Sequence, residues 1–319
     1  MIYDSGMTIA RQWIATDFGG PEVLQLRDLD VPPPGPGEVT IAVRACGMNP
    51  ADYKHFGPGQ DRKLLPLTIG YEAAGVIAAT GPGVTGEKGG EVIAFQITGG
   101  YASALNVRAS DVFAKPATLD FAQAANLLLA GTTAAELLAT AGVYEGDTVL
   151  LHGAAGAVGL SALQQARLIG ARVIGTASKD NSGIVMSFGG VPVTYGGGTE
   201  DLAAQVRAAA PEGIAAVLDT VGSDEAVDTS LALLDDRRRY VTLTAFGRAA
   251  AEGFTAIGAG NPASGPFRAK GRAGIVEMAA AGNLTVPIAR TFPFPRAREA
   301  VAVLAGPHPS GKLALVVDA

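Results

Sequence analysis

The chain has 319 residues, 48% hydrophobic and 17% charged, which exceeds one ordinary core and suits two compact globular domains. A net charge of −6 argues against a nucleic-acid footprint, a single cysteine (Cys46) excludes a disulfide framework or cysteine-built metal site, and 43 glycines without a three-residue period exclude collagen. No run approaches the roughly 20 apolar residues that span a bilayer, and MIYDSGMTIARQW carries no apolar signal region, so a soluble cytoplasmic protein is expected.

Residues 1 to about 115 read as β-rich. Short apolar runs such as Val39–Val43 and Val92–Phe95 are separated by Pro/Gly turns, and VPPPGPGEV (31–39) is a turn leading into a strand. A small antiparallel barrel or sandwich is expected. Near residue 118 the pattern changes. Ala122–Leu129 and Ala134–Ala141 read as Ala- and Leu-rich helices. Strands are then expected at Thr148–His152, Arg172–Thr176, Pro192–Thr194, Ala215–Asp219 and Tyr240–Thr244. Helices begin near Val158, Ile184, Thr199 and Ser223 between them. Such alternation predicts a doubly wound parallel sheet. Arg237-Arg238-Arg239, the only basic cluster, reads as the solvated end of a helix and its turn. From about Leu284 the tail returns to strand-like runs, Leu313–Val317 the clearest, and is expected to rejoin the first domain. The expected domains are 1–117 with 285–319, and 118–284.

The strongest local signal is TVLLHGAAGAVGLSALQQARLIGARVIGTAS (148–178). A strand meets Gly153-Ala154-Ala155-Gly156-Ala157-Val158-Gly159, a helix with apolar residues at Val158, Leu160, Leu163, Ala166 and Ile169 follows, and Gly170 ends it. Small residues there let a pyrophosphate reach the unpaired amides and positive dipole end of a helix. A side chain at Gly156 would stand in its way, and Gly159 lets the helix pack closely. Ala154 and Ala155 depart from the usual G-x-G-x-x-G, but the strand–turn–helix setting keeps the dinucleotide reading. The second strand ends in Ala177-Ser178-Lys179, where an NAD enzyme carries Asp or Glu. A hydroxyl and an ammonium suit a 2′-phosphate, which favours NADPH over NADH.

The chain resembles the zinc-independent quinone oxidoreductase branch of the medium-chain dehydrogenase/reductase superfamily. The resemblance runs through VRACGMNPADYKHFGPG (43–59), LPLTIGYEAAGVIAATGPGV (65–84), LLLAGTTAAELL (127–138), the glycine-rich segment, VLDTVG (217–222) and GKLALVV (311–317). It implies a GroES-like β-rich catalytic domain and a Rossmann domain with the active site in a cleft between them. It further implies NADPH-linked reduction of quinones, enones or other activated double bonds, and a homodimer that extends the Rossmann sheet edge to edge. For the cofactor it implies Thr133 beside the nicotinamide, although a threonine opening a helix is also an ordinary cap. It implies Gly153 to Val158 at the pyrophosphate, Ser178, Lys179 and Tyr195 near the adenosine phosphate, and Val221, Thr244 and Phe246 along the remainder. Phe246 and AGNPASGPF (259–267) would line the cleft, whereas TYGGG (194–198) departs from the family pattern.

Zinc-dependent relatives carry Cys and His where this chain has Asn49 and Tyr71, and their four-cysteine structural lobe cannot form with one cysteine. His55, His152 and His308 match no ligand spacing, and His152, closing a buried strand, reads as structural. No metal is expected, which disfavours alcohol oxidation. The remaining chemistry is hydride transfer with stabilisation of a developing oxyanion. The candidates are Asn49 as an amide donor, Tyr53 as a hydroxyl donor or aromatic wall, and Tyr71. An Asn-Pro turn equally explains Asn49, and packing explains the tyrosines. No pair reads as a strong general acid and base, so the final proton is expected from water. Two other readings stay open: an enoyl-thioester reductase of the same superfamily, and an NADPH-binding protein with little activity.

Overall fold

A computed structural model describes residues 8–59, 61–258, 261–306 and 310–318, so Ala259 and Gly260 of the cleft loop, His308 and the first seven residues lie outside the described residues. The chain divides into two units: residues up to Leu129 together with those from Thr285 on, and Ala130–Leu284.

The first unit begins with β1 (Thr8–Ala15), β2 (Leu24–Val31), β3 (Glu38–Gly47), α1 (Pro50–Lys54) and β4 (Leu67–Thr68). It continues through β5 (Glu72–Thr80), β6 (Glu91–Phe95), β7 (Ala104–Arg108), β8 (Val112–Ala114) and α2 (Phe121–Ala124). Strands β2, β1 and β4 form one antiparallel sheet. Strand β3 pairs antiparallel with β5 and β7 in a second sheet. Along β3, Val39, Ile41 and Val43 point alternately inward and are almost fully buried, as a half-buried strand requires.

The predicted helix 122–129 is not continuous. It is broken into α2 and the start of α3 (Leu128–Thr140), which absorbs the predicted 134–141 segment. The break is made by Asn126. Its Nδ2 donates to Ala122 O at 2.9 Å and Leu313 O at 3.1 Å, and its Oδ1 accepts from Met48 N at 3.0 Å. A buried amide that joins three segments carries the first unit on to Leu129, twelve residues past the compositional change at 117.

The second unit is α3, β9 (Thr148–His152), α4 (Ala157–Ile169), β10 (Arg172–Ala177), α5 (Ser182–Ser187), β11 (Val191–Thr194), α6 (Thr199–Ala209) and β12 (Ala216–Asp219). After these come α7 (Asp224–Leu233), β13 (Tyr240–Thr242), α8 (Phe246–Glu252), β14 (Thr255–Ala256) and α9 (Ser264–Ala280). Among the described residues, six strands form one parallel sheet in the order β11-β10-β9-β12-β13-β14. Both faces are covered. Val149, Leu151, Val173 and Leu218 join one apolar cluster, while Leu150, Ile174, Val217 and Tyr240 join the other. This explains why the strands read as continuous apolar runs rather than alternating ones. The result is the doubly wound Rossmann architecture.

Several local expectations change. The fifth strand ends at Thr242 rather than Thr244, because Thr242 Oγ1 accepts from the amides of Thr244 and Ala245 and turns the chain into α8. Ser264–Phe267, read as loop, is the first turn of α9. In the basic cluster Arg237 and Arg238 are exposed as read, whereas Arg239 is half-buried, paired with Asp147 at 2.6 Å and donating to the carbonyls of Ala141 and Gly142.

The tail supplies β15 (Ile288–Pro293), α10 (Ala297–Ala305) and β16 (Lys312–Val316). Strand β16 pairs antiparallel with β3, placing the tail in the sheet of the first unit, and α10 buries Ala300, Val301 and Leu304 in its core. The first unit is thus the β-rich GroES-like part, closed by residues from both ends of the chain. Asn126→Ala, which strands three buried backbone groups, is expected to cost about 2–4 kcal/mol of stability, read as a lowered urea midpoint; an unchanged midpoint refutes the linking role.

Candidate functional site

The parallel sheet sets most of the predicted cofactor residues side by side. In parallel α/β sheets, ligands bind beyond the carboxyl ends of the strands. Here those ends carry, in spatial order, Tyr195 after β11, Ser178 and Lys179 after β10, the glycine-rich turn after β9, Val221 after β12, and Thr244 with Phe246 after β13. The register pairs Ala177 with Thr194, so Ser178 and Tyr195 leave the sheet as neighbours. At about 4.8 Å per strand the row is roughly 19 Å long.

The turn itself is tightly specified. Gly153 has φ +77°, and a Cβ there would lie 2.4 Å from Thr220 Oγ1 and 2.8 Å from the Val221 side chain. A Cβ on Gly159 would lie 2.3 Å from Gly153 O, so the helix packs against the turn at backbone distance. Ala154 and Ala155, the departures from the usual glycine pattern, are buried in the apolar cluster beneath the turn. Gly156 is the N-cap of α4 and supplies no side-chain cap, and Ala157 and Val158 follow it half-exposed. The first-turn amides are therefore available to an anion.

Two further observations fit a ligand along this row. Tyr195, Val221 and Phe246 are all large apolar side chains left exposed. Thr133 is 3% exposed and its Oγ1 has no hydrogen-bond partner. It is the sixth residue of α3, so the capping explanation falls away. Asp219, which sequence reasoning passed over, holds the adjoining loop. Its Oδ1 accepts from the amides of Val221 and Gly222 at 2.9 and 2.8 Å, and its Oδ2 from Thr242 Oγ1 at 2.9 Å. The TYGGG loop closes on Glu225, whose carboxylate accepts from Gly196 N and Gly198 N. Lys179 is exposed and Ser178 half-buried.

His152 is buried and structural in geometry. Ser230 Oγ donates to Ala226 O, so the 2.9 Å contact leaves His152 Nε2 as the donor to Ser230. Burial holds its pKa below the ordinary imidazole range.

In the first unit the three catalytic candidates separate. Asn49 is 1% exposed. Its Nδ2 donates to Glu72 Oε2 at 2.9 Å, its Oδ1 accepts from Lys312 Nζ, and its backbone N–H donates to Asp52 Oδ2 at 2.7 Å. Asn49 thus links buried charges and is the N-cap residue of α1, with one of its two amide N–H groups committed to Glu72. Lys312 Nζ also donates to Met48 O at 2.6 Å, and Glu72 Oε1 accepts from Leu129 N at 2.6 Å. Tyr101 donates to Asp52 Oδ2 at 3.0 Å, and Asp52 Oδ1 has no partner. The cluster holds two carboxyls and one ammonium. Burial raises the pKa of Asp52 and of Glu72 and lowers that of Lys312, each against its charged form.

Tyr53 packs against the core of the first unit and lines an apolar pocket of about 310 Å³ with Phe56, Pro21 and Val301. Tyr71 is half-buried, and its hydroxyl lies 3.1 Å from Nδ1 of the exposed His55, with the rings edge to face. This pair was not legible in the sequence. Among the described residues, no three His, Cys, Asp or Glu side chains converge in an arrangement able to hold a metal ion.

Residues 35–117 match the alcohol dehydrogenase GroES-like domain family, and residues 192–315 match the family described as zinc-binding dehydrogenase. Human quinone oxidoreductase is 40% identical over 191 residues, a match that spans 58% of this chain and 58% of the human protein. The structure of a mycobacterial quinone oxidoreductase superposes with a TM-score of 0.78 at 30% identity, covering 96% of this chain and 99% of that one. A mycobacterial protein complexed with NADPH superposes with a TM-score of 0.81 at 29% identity, covering 96% and 99%.

Lys312→Met is expected to leave two buried carboxyls without a cation and to cost about 3–5 kcal/mol. A urea midpoint equal to that of the parent protein at neutral pH refutes the charge-balancing role.

Proposed function

Because the chain belongs to the quinone oxidoreductase branch of the medium-chain dehydrogenase/reductase superfamily, we propose that it is an NADPH-dependent oxidoreductase that reduces a quinone or the activated C=C of an enone without zinc. The observation that carries this reading is the row of Tyr195, Ser178, Lys179, Gly153 to Val158, Val221, Thr244 and Phe246 along one edge of the parallel sheet. When bound, the reduced nicotinamide supplies hydride to carbon.

The chain's own residues do the rest. The uncapped first turn of α4 receives the pyrophosphate, with its amides and dipole offsetting the charge. Ser178 and Lys179 supply a hydroxyl and an ammonium to the 2′-phosphate, and no acidic side chain stands at Ala177 to repel it. Thr133 Oγ1, buried and without a partner, is reserved for a polar atom of the nicotinamide end. Tyr71 is the donor to the substrate oxygen. Asn49 is held between Glu72 and Lys312, and Tyr53 lines an apolar pocket, whereas Tyr71 is a half-buried residue whose hydroxyl meets the exposed His55.

Zinc independence rests on donor chemistry. An amide already bonded on both sides and a phenol replace the thiolate and imidazole that bind this metal tightly. The reading includes a cytoplasmic homodimer, the dimer implied by the family resemblance; among the described residues no helix is long and apolar enough to cross a membrane.

Loss of NADPH absorbance is expected with 1,4-benzoquinone or 2-cyclohexen-1-one, and turnover of neither refutes the reading. Lys179→Ala is expected to raise KM for NADPH about tenfold while leaving that for NADH nearly unchanged. Equal effects on both cofactors remove Lys179 from the phosphate site.

A further inference from the structure

We propose that Tyr71 and His55 form a proton relay, in which the tyrosine hydroxyl protonates the reduced substrate and the exposed imidazole reprotonates the tyrosine. The relay rests on the reductase reading above and adds the source of the proton to it.

The geometry supplies each part. Tyr71 Oη and His55 Nδ1 are 3.1 Å apart, within hydrogen-bond range. The two rings meet edge to face, 6.0 Å between centroids at 82°, and Nδ1 is the imidazole nitrogen that meets the hydroxyl. His55 is exposed and Tyr71 half-buried, so the pair runs from solvent inward. His55 is the C-cap of α1, and Tyr53, two residues earlier, turns to another side of the helix and lines the apolar pocket. Tyr71 precedes Glu72, whose carboxylate is fixed by Asn49 and Leu129, so the backbone beneath the tyrosine is anchored. Burial and the nearby Asp52 raise the Tyr71 pKa, which keeps the hydroxyl protonated and able to donate at neutral pH.

The step balances for an enone. Hydride adds to the β-carbon, the C=C electron pair moves toward the carbonyl, and negative charge develops on its oxygen. The Tyr71 O–H bond breaks and its proton passes to that oxygen. The phenolate takes the Nδ1 proton of His55 as Nε2 takes one from water, and the hydroxide left behind is neutralised by the solvent, which supplies one proton per turnover. The substrate gains two electrons and one proton beyond the hydride's own hydrogen nucleus, and the nicotinamide is the group oxidised.

The test uses the full chain with NADPH and 2-cyclohexen-1-one. Tyr71→Phe is expected to lower kcat about 100-fold and to remove the solvent deuterium isotope effect on the slow step. His55→Gln is expected to lower kcat about tenfold with KM held within about twofold, and free imidazole is expected to restore most of that loss. Imidazole is expected to restore nothing to Tyr71→Phe. In the cofactor-free protein, the ¹⁵N shift of His55 Nδ1 is expected to move in Tyr71→Phe, a readout independent of turnover. Parent-like kcat in Tyr71→Phe, no rescue of His55→Gln by imidazole, or an unmoved Nδ1 resonance each overturns the relay. Parent protein that turns over neither quinone nor enone overturns the reductase reading instead.

Discussion

The side-chain amide of Asn49 is held by Glu72 on one side and Lys312 on the other, and Asp52 takes its backbone N–H. These groups come from α1, the start of β5 and the last strand of the chain. Their convergence fixes where the tail enters the first unit and where the chain leaves it at Leu129. A buried charge without partners costs several kcal/mol, so the arrangement persists only because each charge meets a dipole or an opposite charge. Asn49 is the shared dipole: its oxygen faces the ammonium and its nitrogen the carboxylate. No isosteric hydrocarbon can fill both roles, and a carboxylate there would lose the donor that Glu72 uses.

The second unit obeys a different constraint, backbone distance. Gly153 must turn with φ +77° and Gly159 must lie against its carbonyl before α4 can start where it does. Once that helix starts, its first amides stand at the edge of the sheet between the ends of β10 and β12. Asp219 then fixes the neighbouring loop by accepting two amides, and Glu225 does the same for the loop after β11. Two carboxylates thus organise the loops on either side of the ends of β9 and β10. Glu225 is bonded by backbone N–H groups, and Asp219 by two such groups and the hydroxyls of Tyr240 and Thr242, so neither is a bare charge.

The sequence made these two units unequally legible. The glycine turn, its strand and its helix are local, and a 3.6-residue period beside a β-run reveals them without tertiary information. The row of predicted cofactor positions follows once the sheet order is known, because strand ends are easy to number. The boundary at Leu129 was hidden, since it depends on Asn126 reaching Leu313, 187 positions away. The partners of Asn49 were hidden for the same reason: an Asn-Pro sequence shows a cap or a donor, but not that a lysine 263 residues later occupies its oxygen. Tyr71 and His55 lie only 16 residues apart, yet neither spacing nor period marks them as a pair. Thr133 looked like a cap because the preceding helix was drawn too long. The helix that contains it begins five residues earlier.

That threonine has a consequence of its own. A hydroxyl sealed from water with nothing to bond costs the fold about 1–3 kcal/mol, and the protein bears that cost whenever the position beside it is filled only by hydrocarbon. A guest with a matching polar atom relieves the cost on arrival, and a guest of the same shape without one does not. A hydroxyl so placed would favour the guest that brings the matching polar atom, because only that guest resolves the frustration.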